Sequence, residues 1–342
     1  MVESKFVETP GSTPLKPPIG ILASLSAGFE RIAARPVLIL PPLALDLFLW
    51  LGPQLRATSL IQSLAGAIAV PGGVDPALAQ QVEGVQKGFA ELALRFNILS
   101  ALSAIPAGIP SLMAARMPAV NPVGFPPKAE AGTLLAAAAT WVLFTLIGLG
   151  MGAFFQVVIA RQMAPHNEIA PLGLAWGRFI ALSAGMYAGL LALMTGAAIV
   201  VSVASLLLPI LGAGVMFIVF SFAFWLAIYL AFTPHGIIRY RFGVWKAMRA
   251  SMQVVRWNMP SSVAFLALIM LVTYAAGWVW AMPAEDSWFS LLALVGHAFV
   301  SATLVAASYA FYQGRHDWME TLRRAFLARA AAAAMPAPRG KE

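Results

Sequence analysis

The sequence contains no cysteine, and only 11% of its 342 residues are Asp, Glu, Lys or Arg. The first absence excludes disulfides, thiolate metal ligands and cysteine nucleophiles. The second excludes an ordinary soluble domain, where about a quarter of the residues are charged. Acidic residues are scarcer than basic ones, 14 against 22, which leaves a net charge of +8. Lys and Arg never form a run of five and instead flank apolar stretches. Anionic lipid headgroups are therefore the expected partners, and nucleic acid is not. The G-x-S-x-G, P-loop and dinucleotide fingerprints are all missing. The first twenty residues lack the apolar core of a signal peptide and carry Pro10, Pro14, Pro17 and Pro18. Residues 1–19 read as a disordered cytoplasmic tail, so the first span is expected to act as the insertion signal.

What the chain has in excess is apolar surface: 60% hydrophobic residues and a mean hydropathy of +0.81. A soluble fold of this length could not hide it, so the excess is expected to face lipid. Six stretches are read as membrane spans, for which about 20 mainly apolar residues are needed. They are 37–51, 133–160, 179–208, 211–232, 262–281 and 288–312. The first is short and carries Pro41, Pro42 and Asp46. The expected fold is thus an all-α, polytopic helical bundle, a membrane domain over 20–312 followed by an amphipathic cytoplasmic tail over 313–342.

Orientation follows from the Lys and Arg content of short connections. Arg239, Arg241, Lys246, Arg249 and Arg256 lie between the fourth and fifth spans, and Arg315, Arg323, Arg324, Arg329, Arg339 and Lys341 follow the sixth. The connection between the last two spans holds Glu285 and Asp286 and no basic residue. Both chain ends are therefore expected in the cytoplasm and the protein in a bacterial inner membrane. Trp50, Trp278, Trp280 and Trp288 would lie near the outer interface, and Trp176, Trp245, Trp257 and Trp318 near the inner one.

A repeated unit runs through the spans: an amphipathic helix, a Pro or small-residue break, then a span pair. Residues 243–260 form the clearest copy, with apolar Val244, Met248, Met252 and Val255 at helical spacing and Lys246, Arg249, Gln253 and Arg256 in another sector. Residues 20–36 form a second copy ending at Pro36, and 170–183 a third around Trp176 and Arg178. A fourth such helix is expected over 317–329. Three helix-plus-hairpin pseudo-repeats would account for all six spans. Helices of this type lie in the interface with basic residues toward lipid phosphate, which makes Arg35, Arg178, Lys246, Arg249, Arg256, Arg323 and Arg324 candidate headgroup contacts.

The run Ala247-Met-Arg-Ala-Ser251-Met-Gln-Val-Val255-Arg-Trp-Asn258 resembles a motif in bacterial six-helix membrane proteins. These are similar to the membrane domain attached to some glycerophosphodiester phosphodiesterases. The clear match is about a dozen residues, and the chain shows neither the soluble barrel of those enzymes nor their metal-binding acidic clusters. The resemblance therefore implies a membrane module without the phosphodiesterase activity.

Residues 53–131 form the one sizeable segment outside the spans. Its apolar stretch 61–70 is too short to span and is broken by Pro71, Gly72 and Gly73. Asp75 is the expected N-cap, and Pro76 the first residue, of a helix reaching about residue 96. A second apolar stretch, 98–113, is interrupted by Pro106, Gly108 and Pro110. The segment reads as a helical cap lying on the outer leaflet or across the bundle mouth, or as a protein-contact surface.

Two ionisable residues fall inside spans, Asp46 and His297, and such residues are functional candidates by default. Together they could relay protons or hold a cation. With no second carboxylate, a structural role is favoured, in which Asp46 binds backbone groups freed by Pro41 and Pro42. His166 with Glu168, and His316 with Asp317, lack metal-ligand spacing and are expected to be solvated. Glu285 and Asp286 suit the start of the sixth span. Gly148, Gly150 and Gly152, and the pair Gly185 and Gly189, suggest close helix packing. No catalytic constellation and no cofactor site is visible. The expected function is a non-enzymatic module that organises lipid or membrane-protein partners, with a small-solute transporter as the alternative.

Overall fold

The computed structural model describes residues 17–67, 76–164 and 168–334, so residues 1–16, Asp75, His166 and the last eight residues, Arg339 and Lys341 among them, lie outside the described residues. The chain is an all-α bundle. Helix α1 (Ile21–Ala34) leads through the 3-10 turn Pro36–Ile39 into α2 (Leu40–Leu51). Their axes differ by 101°, because Pro36 lacks an N–H and holds Arg35 out of the helical region, at φ −140° and ψ 71°. Pro41 and Pro42 fall in the first turn of α2, where a missing N–H costs no helical bond.

The segment after α2 holds β1 (Gln54–Arg56), α3 (Thr58–Ala67), α4 (Pro76–Arg95), the 3-10 turn Ile98–Leu102, α5 (Leu112–Arg116) and β2 (Lys128–Glu130). The two strands pair in parallel, Gln54 opposite Lys128 and Arg56 opposite Glu130. Then come α6 (Leu134–Met163), α7 (Leu172–Leu207), α8 (Pro209–Leu230), α9 (Thr233–Arg239), α10 (Val244–Trp257), α11 (Met259–Ala281) and α12 (Ser290–Ala334). Helices α6, α7, α8 with α9, α11 and α12 are each long and apolar enough to cross a bilayer.

The bent pair α1–α2 is long and apolar enough only when its two helices are taken together, which makes five or six candidate spans. Ile19 accepts a hydrogen bond from Arg315 Nη1 (3.0 Å), while Trp50 at the far end of α2 donates to the Glu285 carbonyl (3.0 Å). Ser290 and Arg315 stand about 38 Å apart along α12 at 1.5 Å per residue. The chain therefore traverses the bundle between Ile19 and Trp50. Helix α1 buries Ser24, Gly28 and Ile32, one helical face, against α12. A Cβ on Gly28 would lie 2.6 Å from the Thr303 carbonyl, so the two backbones meet there.

One end of the bundle is basic. There Arg35 bonds Gln162, Arg178 donates to the Arg241 carbonyl, and Tyr240 packs on Tyr312 and His316. The opposite end carries the 53–131 segment, two of whose cations, Arg95 and Arg116, reach the turn between α11 and α12. Arg95 pairs with Glu285, and Arg116 donates to the Trp280 and Pro283 carbonyls.

Three expectations change. First, the 98–113 stretch is not a surface cap: it dips into the bundle. Ile98, Leu102, Ala107, Ile109 and Met113 are buried, and the stretch meets α6 at Gly148 and Gly152, at and beyond that helix's midpoint. A Cβ on Gly152 would lie 2.1 Å from the Ala107 carbonyl, and one on Gly148 2.4 Å from that of Leu102. The glycines serve close packing as expected, but against a non-helical segment. Irregular backbone at this depth must be satisfied by protein. Ser183 donates to the Ile105 carbonyl, Gln156 to that of Ala107, Ser103 to that of Ile109. Second, Gly185 and Gly189 meet nothing within 4 Å, because their face of α7 has no helix against it. Third, the amphipathic stretches 170–183 and 317–329 are not separate helices, since α7 and α12 run through them unbroken.

Lipid-type exposure is concentrated on α8 and the second half of α7, where Ile199, Phe217, Ile218 and Phe220 are 60% exposed or more. That is the surface the apolar excess requires.

Candidate functional site

The fold brings Asp46 and His297 together. Asp46 sits on the buried side of α2 with no solvent exposure, and its Oδ2 is 3.1 Å from His297 Nδ1. Its other oxygen accepts from the Ser111 hydroxyl (2.6 Å) and the Met113 N–H (2.9 Å). The carboxylate thus binds the end of the re-entrant stretch and the start of α5. It does not bind the groups freed by Pro41 and Pro42.

A carboxylate only accepts, so the Nδ1 of His297 donates to it. Ser301, one turn along α12, lies 3.2 Å from the other ring nitrogen, Nε2, within hydrogen-bond distance. An Asp–His–Ser chain of this connectivity is also the arrangement that activates a nucleophile. Ser301, however, sits mid-helix, where neighbouring N–H groups are consumed by i→i−4 bonds and supply no oxyanion donors.

Ser301 faces a cavity of about 1020 Å³ enclosed by α9, α11, α12 and the Pro110–Leu112 stretch, with Ala231 closing the end of α8. His297, Ser301 and Ser308 recur four and eleven residues apart on α12 and share its wall. Ser308 donates to the Val305 carbonyl (2.7 Å), so its oxygen accepts from His235 Nε2 (2.6 Å). No Lys, Arg, Asp or Glu lines this cavity. It opens sideways, since Tyr274 and Trp278 of its wall are 67% and 65% exposed, and α8 packs little against α11.

A second cavity, about 760 Å³, lies at the basic end between α10 and the C-terminal part of α12. Lys246, Arg249, Arg323 and Arg324 line it, with Asp317 and Glu320 beside them. Four of the seven expected headgroup contacts therefore converge. Lys246 stacks over Phe242 (4.3 Å to the ring centroid) and Arg249 over Trp245 (5.2 Å). Tyr240, also in the wall, donates to Asp317 (2.6 Å); burial, then that carboxylate, push its phenol well above the ordinary range. Asp317 is thus not simply solvated, and Glu168 likewise pairs with Arg239.

Helix α10 reaches this position by burying Ala247, Ala250, Ser251, Val254 and Val255. Small residues allow close approach, and Ser251 bridges α8 and α9 by donating to the Tyr229 carbonyl (2.7 Å) and accepting from the Phe232 N–H (3.1 Å). Met252, expected on the packed face, is 42% exposed beside Trp245 and Trp257. Arg256 and Arg35 are exposed without joining the pocket, and Arg178 is half-buried against Arg241.

No family model, no curated protein and no solved structure matches this chain. Among the described residues, no group of three or more His, Asp and Glu is placed to hold a metal. Sequence reasoning missed Ser111, Ser301, Ser308 and His235. The three-turn spacing of His297, Ser301 and Ser308 was the available signal.

Proposed function

We propose that the protein is a non-enzymatic lipid-organising module of a bacterial inner membrane, with both described ends cytoplasmic and the basic end set in the cytoplasmic leaflet. The observation that carries this reading is the convergence of Lys246, Arg249, Arg323 and Arg324 on one pocket. Basic residues near a membrane surface each contribute about 1 kcal/mol toward anionic lipid. Exposed Trp245 and Trp257 on the same helix are the side chains favoured at headgroup level. The resemblance of 247–258 to the membrane domain of some glycerophosphodiester phosphodiesterases implies a membrane module and is compatible with it.

Native mass spectrometry of the purified protein tests the proposal. The wild type retains phosphatidylglycerol or cardiolipin, and the combined variant Lys246→Gln, Arg249→Gln, Arg323→Gln, Arg324→Gln retains several-fold less. Equal retention sinks it.

A small-solute transporter is the second reading, favoured by the re-entrant stretch beside Asp46 and His297, since broken segments line transport sites. The uncharged, largely apolar wall of the nearby cavity weighs against it.

A further inference from the structure

We infer that the basic pocket takes a lipid carrying two phosphates, of the diphosphatidylglycerol (cardiolipin) class, with one phosphate held by each wall. The inference rests on the leaflet reading above and names the ligand of that same pocket. Three observations select it.

The first is the arrangement of the cations. They come as two pairs on two helices, Lys246 and Arg249 on α10 and Arg323 and Arg324 on α12. Lys246 and Arg249 are three residues apart and so share one side of their helix. A single phosphate held between them leaves Arg323 and Arg324 facing the same space without a counter-charge. Two phosphates on one molecule reach both pairs, and basic pockets between helices at the cytoplasmic face suit such headgroups.

The second is charge that the pocket does not neutralise itself. Its carboxylates already have partners. Asp317 accepts from Tyr240 (2.6 Å) and lies 3.4 Å from His316 Nδ1, and Glu320 pairs with Arg323 (3.5 Å). Among the described residues, Lys246, Arg249 and Arg324 pair with no carboxylate; the first two rest on the rings of Phe242 and Trp245. Four cations against two carboxylates leave an excess of two, the charge of a lipid with two phosphodiesters. His316 also lines the pocket, and a proton on it adds to that excess and never cancels it.

The third is apolar surface on both walls. Trp245 and Met252 stand four residues before and three after Arg249 on α10, and both are exposed. Phe326 and Leu327 stand three and four residues past Arg323 on α12, and they too are exposed. Each wall therefore sets a cationic pair beside side chains suited to acyl chains. A lipid with one phosphate and one pair of chains covers one wall, whereas two phosphatidyl groups joined by a glycerol cover both. At about 760 Å³ the pocket has room for the joined headgroup. A soluble diphosphate matches the charge and leaves both apolar borders bare.

The test uses the purified full chain, stripped of lipid in mild detergent and titrated by native mass spectrometry. The probes are tetraoleoyl cardiolipin and dioleoyl phosphatidylglycerol. The wild type should take up one cardiolipin or two phosphatidylglycerols. It should bind cardiolipin about tenfold more tightly, since each further cation near a lipid phosphate is worth about fivefold. Lys246→Gln with Arg249→Gln, and separately Arg323→Gln with Arg324→Gln, should each bind a single phosphatidylglycerol and lose the preference for cardiolipin. Lys246→Arg with Arg249→Lys keeps both charges and should retain the preference. All four side chains are exposed, so the Tm should not move. Excess inorganic pyrophosphate should not displace cardiolipin, and displacement would overturn the assignment to a lipid. Phosphatidylglycerol bound by the wild type as tightly as cardiolipin, or a preference that survives in either half-variant, would overturn the two-phosphate assignment and leave the leaflet reading standing. Absence of all anionic-lipid binding would sink both.

Discussion

Trp50 donates its indole N–H to the carbonyl of Glu285, and its ring meets Trp288 edge to face at 6.0 Å. This contact ties the end of α2 to the turn that opens α12, the longest helix among the described residues. With the Arg315 bond to Ile19, it carries the bent α1–α2 pair from one end of the 290–315 stretch of α12 to the other, although α2 alone has only 12 residues.

Topology is the first consequence. Six crossings place Ala67, beyond α2, on the side opposite the exit of α12. An alkaline phosphatase fusion near Ala67 should be active, and one after Arg329 inactive, with a green fluorescent reporter giving the reverse. A reporter placed ahead of Ile21 that sides with Ala67 rather than with Arg329 would reduce the count to five.

The docking of the re-entrant stretch yields a stability prediction. Gly152→Ala forces a Cβ to within 2.1 Å of the Ala107 carbonyl, a clash with backbone that only movement of the stretch can relieve. It should destabilise by at least the 1–3 kcal/mol usual for overpacking, read as a lowered Tm in detergent. Gly185→Ala and Gly189→Ala meet nothing within 4 Å and should be neutral or slightly stabilising, since Ala is the better helix former. Equal losses at all three positions would mean the stretch does not pack on α6.

Asp46 makes a contrasting case, because stability and transport give different readouts. Asp46→Ala leaves the Ser111 hydroxyl, the Met113 N–H and His297 without their acceptor. The cost should be about 3 kcal/mol, the usual range for buried groups left unpaired. Asp46→Asn keeps one carbonyl oxygen and should lose less. In liposomes Asp46→Asn should leave pH-dependent ion flux unchanged. A flux that the wild type supports and this variant loses would establish the transporter reading instead.

Much of this molecule was legible from its sequence. Five crossings follow from runs of apolar residues, because bilayer thickness sets a length that chance rarely meets. The helix after Pro76, the tight turn at Pro209 and the basic amphipathic α10 follow from local rules of the same kind. Asp46 and His297 also stood out alone, since an ionisable group in lipid is costly wherever it points.

Tertiary structure decided what those residues do. The 98–113 stretch looked like a surface cap because its prolines and glycine break periodicity, and local pattern cannot tell a broken surface segment from one that enters the bundle. Only contacts with Gly148 and Gly152, distant in sequence, place it inside. Likewise Gln156, Ser183 and Ser301 carry no local signal; they matter because the fold sets them against particular carbonyls or one imidazole nitrogen. The four cations of the basic pocket come from α10 and from the end of α12, more than sixty residues apart, and were legible only singly. Hydropathy and charge along the chain determined how often it crosses and which end is basic. Packing between distant segments, which no one-dimensional pattern encodes, decided where its polar groups meet.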